Sequence, residues 1–285
     1  MSVIKIASYI DHTLLKPTAT HIDINKICNE ALVYGFAAVC VPPPLVRAAS
    51  SLVQPGAGED ETDVAAAHAT ATTAAHATAP NAAAAIAQPI IKVATVIGFP
   101  FGYSTTMAKL AEIEQAIADG ADELDIVINL VALREGYWDQ LEEEMRMLTL
   151  RAHTSGKLIK VIIESGILTD EEIIRCCSVY SHVGVDFLKT STGYAEKGAS
   201  LAAVQLMRQH LPQRIRIKAS GGIRDYAFAA ALVEAGADRL GCSASLEIVK
   251  GENPAPGTGH PGTDPGHSAP GHSGPQPDHP RPGGY

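Results

Sequence analysis

The sequence predicts a single (β/α)₈ barrel on three observations: the length of its body, the regular alternation of apolar runs with helical segments, and the lack of a GxGxxG fingerprint after the first strand. The chain has 285 residues, and its last stretch, 251–285, holds 9 of the 18 prolines and 9 of the 25 glycines. Such a segment cannot bury a core, so it is expected to be a disordered Pro/Gly/His-rich tail. The remaining ~250 residues match the usual size of one such barrel.

Eight apolar runs supply the strands: 9–13, 36–41, 91–97, 123–129, 158–164, 185–190, 215–219 and 238–243. Most are apolar at consecutive positions, as parallel strands covered on both faces by helices must be. The intervening segments carry helix punctuation. Thr169 opens a Thr-Asp-Glu-Glu capping box, Ser104 and Asp225 are placed to cap, and the glycines ending 118–120 and 234–236 mark helix stops.

Two segments depart from the alternation. Residues 55–88 contain the acidic run 59–63 and then an alanine-rich stretch in which 14 of the 24 residues 64–87 are alanine. Thr70, Thr72, Thr73 and Pro80 interrupt any helix there, and methyl groups alone offer little apolar face to dock. The segment is expected to be a low-complexity insertion on a barrel connection, so the domain plan is a single barrel over 1–250 that carries this insertion and a tail over 251–285. The tail's histidines, His260, His267, His272 and His279, are irregularly spaced and read as solvated residues.

The charge balance excludes two classes of partner. Lys plus Arg is 22 against 31 Asp plus Glu, a net charge of −9, whereas nucleic acid and anionic membranes call for a basic surface. No run approaches the ~18 apolar residues of a membrane span. Five cysteines, Cys28, Cys40, Cys176, Cys177 and Cys242, stand in no zinc-like spacing and read as reduced thiols of a cytoplasmic protein. Neither a metal nor another cofactor is expected, because no histidine cluster falls at the strand ends. Assembly into a homo-oligomer is left open.

In a (β/α)₈ barrel the reactive residues sit at the carboxyl ends of the strands. The polar residues there are Asp11, Cys40, Asp125, Asn129, Glu164, Lys189, Lys218 and Ser243. Lys189 lies in DFLKTSTG (186–193) and Lys218 in IRIKASGG (215–222), both near the ends of otherwise apolar strands. Burial disfavours an ammonium, and a second nearby ammonium disfavours it further, so one lysine of the pair becomes a neutral amine able to attack a carbonyl while the other stays cationic. Asp125 shares a strand face with Val127 and is the acid/base candidate, whereas Asp122 and Glu123 fall at the strand entrance. Glu164 closes its strand and is assigned a supporting role, with a barrel lysine as its expected partner. Gly193, Gly221, Gly222, Gly241 and Ser243 follow late strands, where small residues let backbone N–H groups approach an anion. Arg224 would add charge to that phosphate site.

The runs IDHTLLKP (10–17), AVCVP (38–42), VATVIGFP (93–100), 121–129, KVIIE (160–164), FLKTSTG (187–193) and KASGGIR (218–224) together resemble the deoxyribose-phosphate aldolase family, in that family's order and over almost all of 1–250. The resemblance implies a metal-free class I aldolase that cleaves 2-deoxy-D-ribose 5-phosphate to D-glyceraldehyde 3-phosphate and acetaldehyde, so its partners are a phosphorylated sugar and a small aldehyde. It implies that Lys189 is the Schiff-base lysine, Lys218 the cation beside it and Asp125 the proton-transfer group, with Asp11 and Thr13 near the second lysine. Some members end in a tyrosine on a tail that folds over the barrel mouth. Tyr285 ends this chain, and a 35-residue flexible segment spans ~30 Å, enough to reach.

Four features depart from the family's pattern: Tyr194 where Phe or Lys is usual, Ala244 where a second serine is common, the 55–88 insertion and the tail. None touches the lysine pair. The competing readings are a related Schiff-base aldolase with another substrate and a non-catalytic barrel scaffold.

Overall fold

The computed structural model describes residues 4–54 and 90–252. Eight parallel strands close in chain order: β1 (Ile10–Thr13), β2 (Ala38–Val41), β3 (Lys92–Ile97), β4 (Glu123–Val127), β5 (Leu158–Ile162), β6 (Phe187–Lys189), β7 (Arg216–Ser220) and β8 (Arg239–Cys242), with β8 pairing back to β1. The expected (β/α)₈ barrel is therefore present, and each strand lies within or one residue beyond its expected run. The 55–88 insertion, and the tail with Tyr285 beyond Glu252, lie outside the described residues.

Nine α-helices are found among the described residues: α1 (His21–Tyr34), α2 (Val46–Val53), α3 (Thr106–Ala118), α4 (Leu130–Arg134), α5 (Trp138–Thr154), α6 (Asp170–Val183), α7 (Leu201–His210), α8 (Tyr226–Glu234) and α9 (Ser245–Lys250). Their starts follow local hydrogen-bond chemistry. Thr169 and Glu172 form the expected capping box on α6, and Asp225 caps α8 through Phe228 N. The cap of α3 is Thr105 rather than Ser104, because its hydroxyl is the one that accepts from Ala108 N. Asn129 leaves the list of site candidates, since its side chain accepts from Val131 N and Ala132 N at the start of α4.

Apolar side chains on the outer strand face and the inner helix face make one continuous core, running from Ile10 through Ile126, Val161 and Leu240 to Ile248. A buried ion pair interrupts it: Lys109 on α3 meets Glu144 on α5 at 3.0 Å and donates to Val127 O at 2.9 Å. That carbonyl lies at the end of β4, so the pair ties two helices to the strand carrying Asp125. Inside the barrel a second, smaller apolar cluster, Cys40, Ala94 and Val96 with Leu15 and Phe99, lines the β2–β3 side. The opposite wall is charged.

Candidate active site

Strand alternation sends Asp11, Glu123, Asp125, Lys160, Lys189, Lys218 and Arg239 into the barrel, where their side chains are buried or nearly so. Lys189 and Lys218 are register partners on β6 and β7. Asp125 stands between them: its Oδ2 accepts from both Nζ atoms at 2.7 Å, and its Oδ1 accepts from Lys160 Nζ at 2.6 Å. Asp11 accepts from Lys218 at 2.5 Å and from Arg239 at 2.5 Å. Glu123 lies 2.6 Å from Lys160 and accepts from Arg239 at 3.3 Å.

The electrostatics separate the lysines. Burial pushes Lys189 below the ordinary ammonium value, Lys218 adds to the fall, and Asp125 opposes it without reversing it. Burial acts on Lys218 in the same sense, yet Asp11 and Asp125 together hold it well above the ordinary value. Lys160 is also raised, its burial outweighed by Asp125 and Glu123. Burial would raise Asp125 and Asp11, but the surrounding cations keep both far down in the carboxylate form. The arrangement thus sets one lysine whose ammonium form is disfavoured beside two whose ammonium form is favoured and a carboxylate held in its charged form. Such a set can supply a nucleophile, fixed positive charge and a proton acceptor within one buried volume.

Two residues of this network, Lys160 and Arg239, were not singled out in the sequence. A lysine on the inward face of an otherwise apolar β5 was the available signal for Lys160, the same that marked Lys189. Arg239 opens its strand and reads as a solvated entrance residue until the barrel closes. Glu123, placed at the strand entrance, faces inward like Asp125, two residues away.

The remaining expected residues fall as follows. Thr13 donates to the carbonyl of Asp11 and does not reach Lys218. Glu164 corrects the expected pairing with a barrel lysine: the chain turns left-handed there, at φ 55°, and its carboxylate accepts from the backbone N–H and hydroxyl of Thr192. Burial raises its pKa, and the Thr192 bonds oppose the rise. Gly193 and Gly221 meet between the β6 and β7 loops at φ of 88° and 89°, a region closed to most side chains. Gly241 makes room for chemistry, since a Cβ there would meet Lys218 Cε at 3.1 Å and Ser220 Cβ at 2.8 Å. Gly222, Arg224 and Ser243 are exposed beyond the strand ends. Tyr194 donates to Leu15 O at 2.8 Å and meets Phe99 edge-on, which links the β6 loop to the β1 loop.

A closed parallel barrel with two lysines in register on adjacent strands and a carboxylate shared between them has the make-up of a class I aldolase. The chain belongs to the DeoC/LacD family aldolases, whose family model matches residues 5–250. It is 43% identical over 246 residues to the deoxyribose-phosphate aldolase of Thermococcus gammatolerans, covering 86% of this chain and 96% of the relative. Among solved structures, the aldolase QR15 superposes with a TM-score of 0.71 at 36% identity, over 87% of this chain and 95% of its own. The deoxyribose phosphate aldolase of Aeropyrum pernix, described as a unique tetrameric structure, gives 0.70 at 28% identity, over 86% and 89%.

Proposed function

We propose that the chain catalyses the reversible cleavage of 2-deoxy-D-ribose 5-phosphate to D-glyceraldehyde 3-phosphate and acetaldehyde. The observation that carries this reading is the single Asp125 carboxylate shared by Lys160, Lys189 and Lys218, of which Lys189 alone has its ammonium form disfavoured.

Lys189 Nζ adds to C1 of the open-chain sugar, and loss of water gives the iminium ion. The C2–C3 bond then breaks, its electrons pass to the iminium as an enamine, and the C3 hydroxyl gives up its proton as glyceraldehyde 3-phosphate leaves. Asp125, held as a carboxylate, accepts that proton and returns one to C2 of the enamine, and water then releases acetaldehyde. Lys218 and Lys160 stay charged and keep Asp125 in place. Asp11 orients Lys218, with Thr13 on the same strand end. Glu164 supports the β6 loop through Thr192.

The phosphate is assigned to the loops after β6, β7 and β8, with Gly193, Gly221, Gly222, Gly241, Arg224 and Ser243. The glycines meeting between the β6 and β7 loops allow the close backbone approach an anion needs. The barrel, residues 1–250, works without metal, in the cytoplasm, where five unpaired cysteines remain reduced. The tetramer described for the Aeropyrum pernix enzyme supports assembly of this chain into a homo-oligomer. No helix among the described residues is long and apolar enough to cross a membrane.

Borohydride reduction in the presence of acetaldehyde, followed by peptide mass mapping, tests the reading. A two-carbon addition at Lys189 is expected. Addition at Lys218 with Lys189 untouched overturns the assignment, and a panel of phosphorylated aldehydes and ketones separates this substrate from those of related aldolases.

A further inference from the structure

The charged groups inside the barrel form a closed circuit. From Arg239 the contacts run to Asp11, Lys218, Asp125, Lys160 and Glu123, and from Glu123 back to Arg239, at 2.5, 2.5, 2.7, 2.6, 2.6 and 3.3 Å. Cations and carboxylates alternate around it, three of each, so the circuit is neutral. Every carboxylate in it already has two cationic neighbours. Lys189 is the seventh member and hangs from Asp125 alone. It is the surplus cation.

Among the described residues no carboxylate other than Asp125 lies within ion-pair distance of Lys189. On β2, burial keeps Cys40 a thiol. β3 faces the interior with Ala94 and Val96. Glu164, past the end of β5, turns to Thr192 and makes no contact ion pair, and its attraction to Lys189 is longer-range and the weakest of the influences on its own charge. Arg216, at the start of β7, lies over the Phe187 ring at 4.0 Å and adds positive charge at the far end of the barrel. A buried group without a counter-charge of its own is the one that sheds its proton.

We infer that Arg239, which opens β8 and makes no ion pair with Asp125, is a positioning residue that leaves Lys189 without a counter-charge of its own by completing the neutral circuit. With Arg239 in place, the charges of Asp11 and Glu123 are paired, and Lys218 and Lys160 are left to pair with Asp125. Without it the carboxylates outnumber the remaining circuit cations by one, and Lys189 fills the deficit as an ammonium. The inference rests on Lys189 being the nucleophile. It adds that the reactivity of the nucleophile is set by charge balance, from a residue two strands away along the barrel wall.

The test is the pH dependence of acetaldehyde-dependent reductive trapping at Lys189, followed by peptide mapping. In Arg239→Gln the acidic limb should move up on the order of one pH unit, the scale for one charge acting through a partly screened interior. Arg239→Lys should restore it. The double variant Glu123→Gln, Arg239→Gln removes one charge of each sign, leaves Lys189 in surplus again and should return the limb toward its original position. A folded Arg239→Gln protein with an unmoved limb overturns the inference, as does a double variant displaced as far as the single one. If Arg239→Gln does not fold, Glu123→Gln decides: a downward shift supports the inference, and an unmoved or upward limb overturns it. Absence of trapping at Lys189 in the unaltered protein is a different result, which defeats the proposed function itself.

Discussion

Lys189 and Lys218 lie in register on adjacent strands, and their amino groups share one oxygen of Asp125, each at 2.7 Å. The two lysines differ in their other partners: Lys218 has Asp11 as a second carboxylate in ion-pair contact, and Lys189 has none. The division of labour between nucleophile and fixed cation follows from that asymmetry.

Replacing Lys218 with Leu removes the ammonium that disfavours a proton on Lys189 and leaves Asp125 with one fewer cation. The pKa of Lys189 should rise, and the acidic limb of kcat/KM should move upward, because the neutral amine is the attacking form. An unshifted limb in a folded variant would remove Lys218 from this role.

Asp125→Asn should lower kcat by a factor of ~10² to 10⁴, the usual contribution of a positioned proton-transfer group. It also strips three buried lysines of their shared partner. A stability loss of about 3–5 kcal/mol by denaturant unfolding is expected, the scale for breaking a buried pair from one side. Near-normal turnover would contradict the assignment.

The charged circuit gives stability a defined pH window. Asp11 and Asp125 have folded pKa values below the ordinary 3.8, so their contribution is complete above that value and is lost as pH falls through the lower folded values. Lys160 and Lys218 are raised above 10.5, so theirs is complete below 10.5 and is lost as pH rises through the folded values. Lys189, lowered, acts in the opposite sense and adds stability as pH rises from its folded value toward 10.5. Thermal unfolding across pH should show the acid loss, and Asp11→Asn should flatten it.

Lys109→Met should cost about 3–5 kcal/mol, because it leaves Glu144 charged, buried and without its partner. Adding Glu144→Gln to that variant should recover part of the loss, since the unpaired charge is then gone. A double variant less stable than the single one would show that the pair's worth lies in packing.

Tyr194→Phe removes the bond to Leu15 O that joins the β6 and β1 loops. The hydroxyl sits on a half-exposed side chain, so a loss of no more than about 1 kcal/mol is expected. KM for the phosphorylated sugar should change less than tenfold with kcat preserved, as measured by steady-state kinetics.

The sequence by itself determined the barrel, because eight short apolar runs, as strands buried on both faces require, alternate with punctuated helical segments over a body of barrel length, and because caps such as Thr169 and Asp225 act within a few residues of themselves. It also marked Lys189, Lys218 and Asp125, since a charged residue inside an apolar strand is locally anomalous. It marked Glu164 as well but misjudged its partner, because nothing local shows that the chain turns left-handed there toward Thr192. Only the tertiary structure decided what Arg239, Glu123 and Lys160 do. Each sits on a different strand, and whether an inward charge is a cost or a counter-charge depends on which strands the closing barrel sets beside it. Closure brings β8 against β1, joins Arg239 to Asp11, residues 228 positions apart, and so completes a balance of charge that no local pattern encodes.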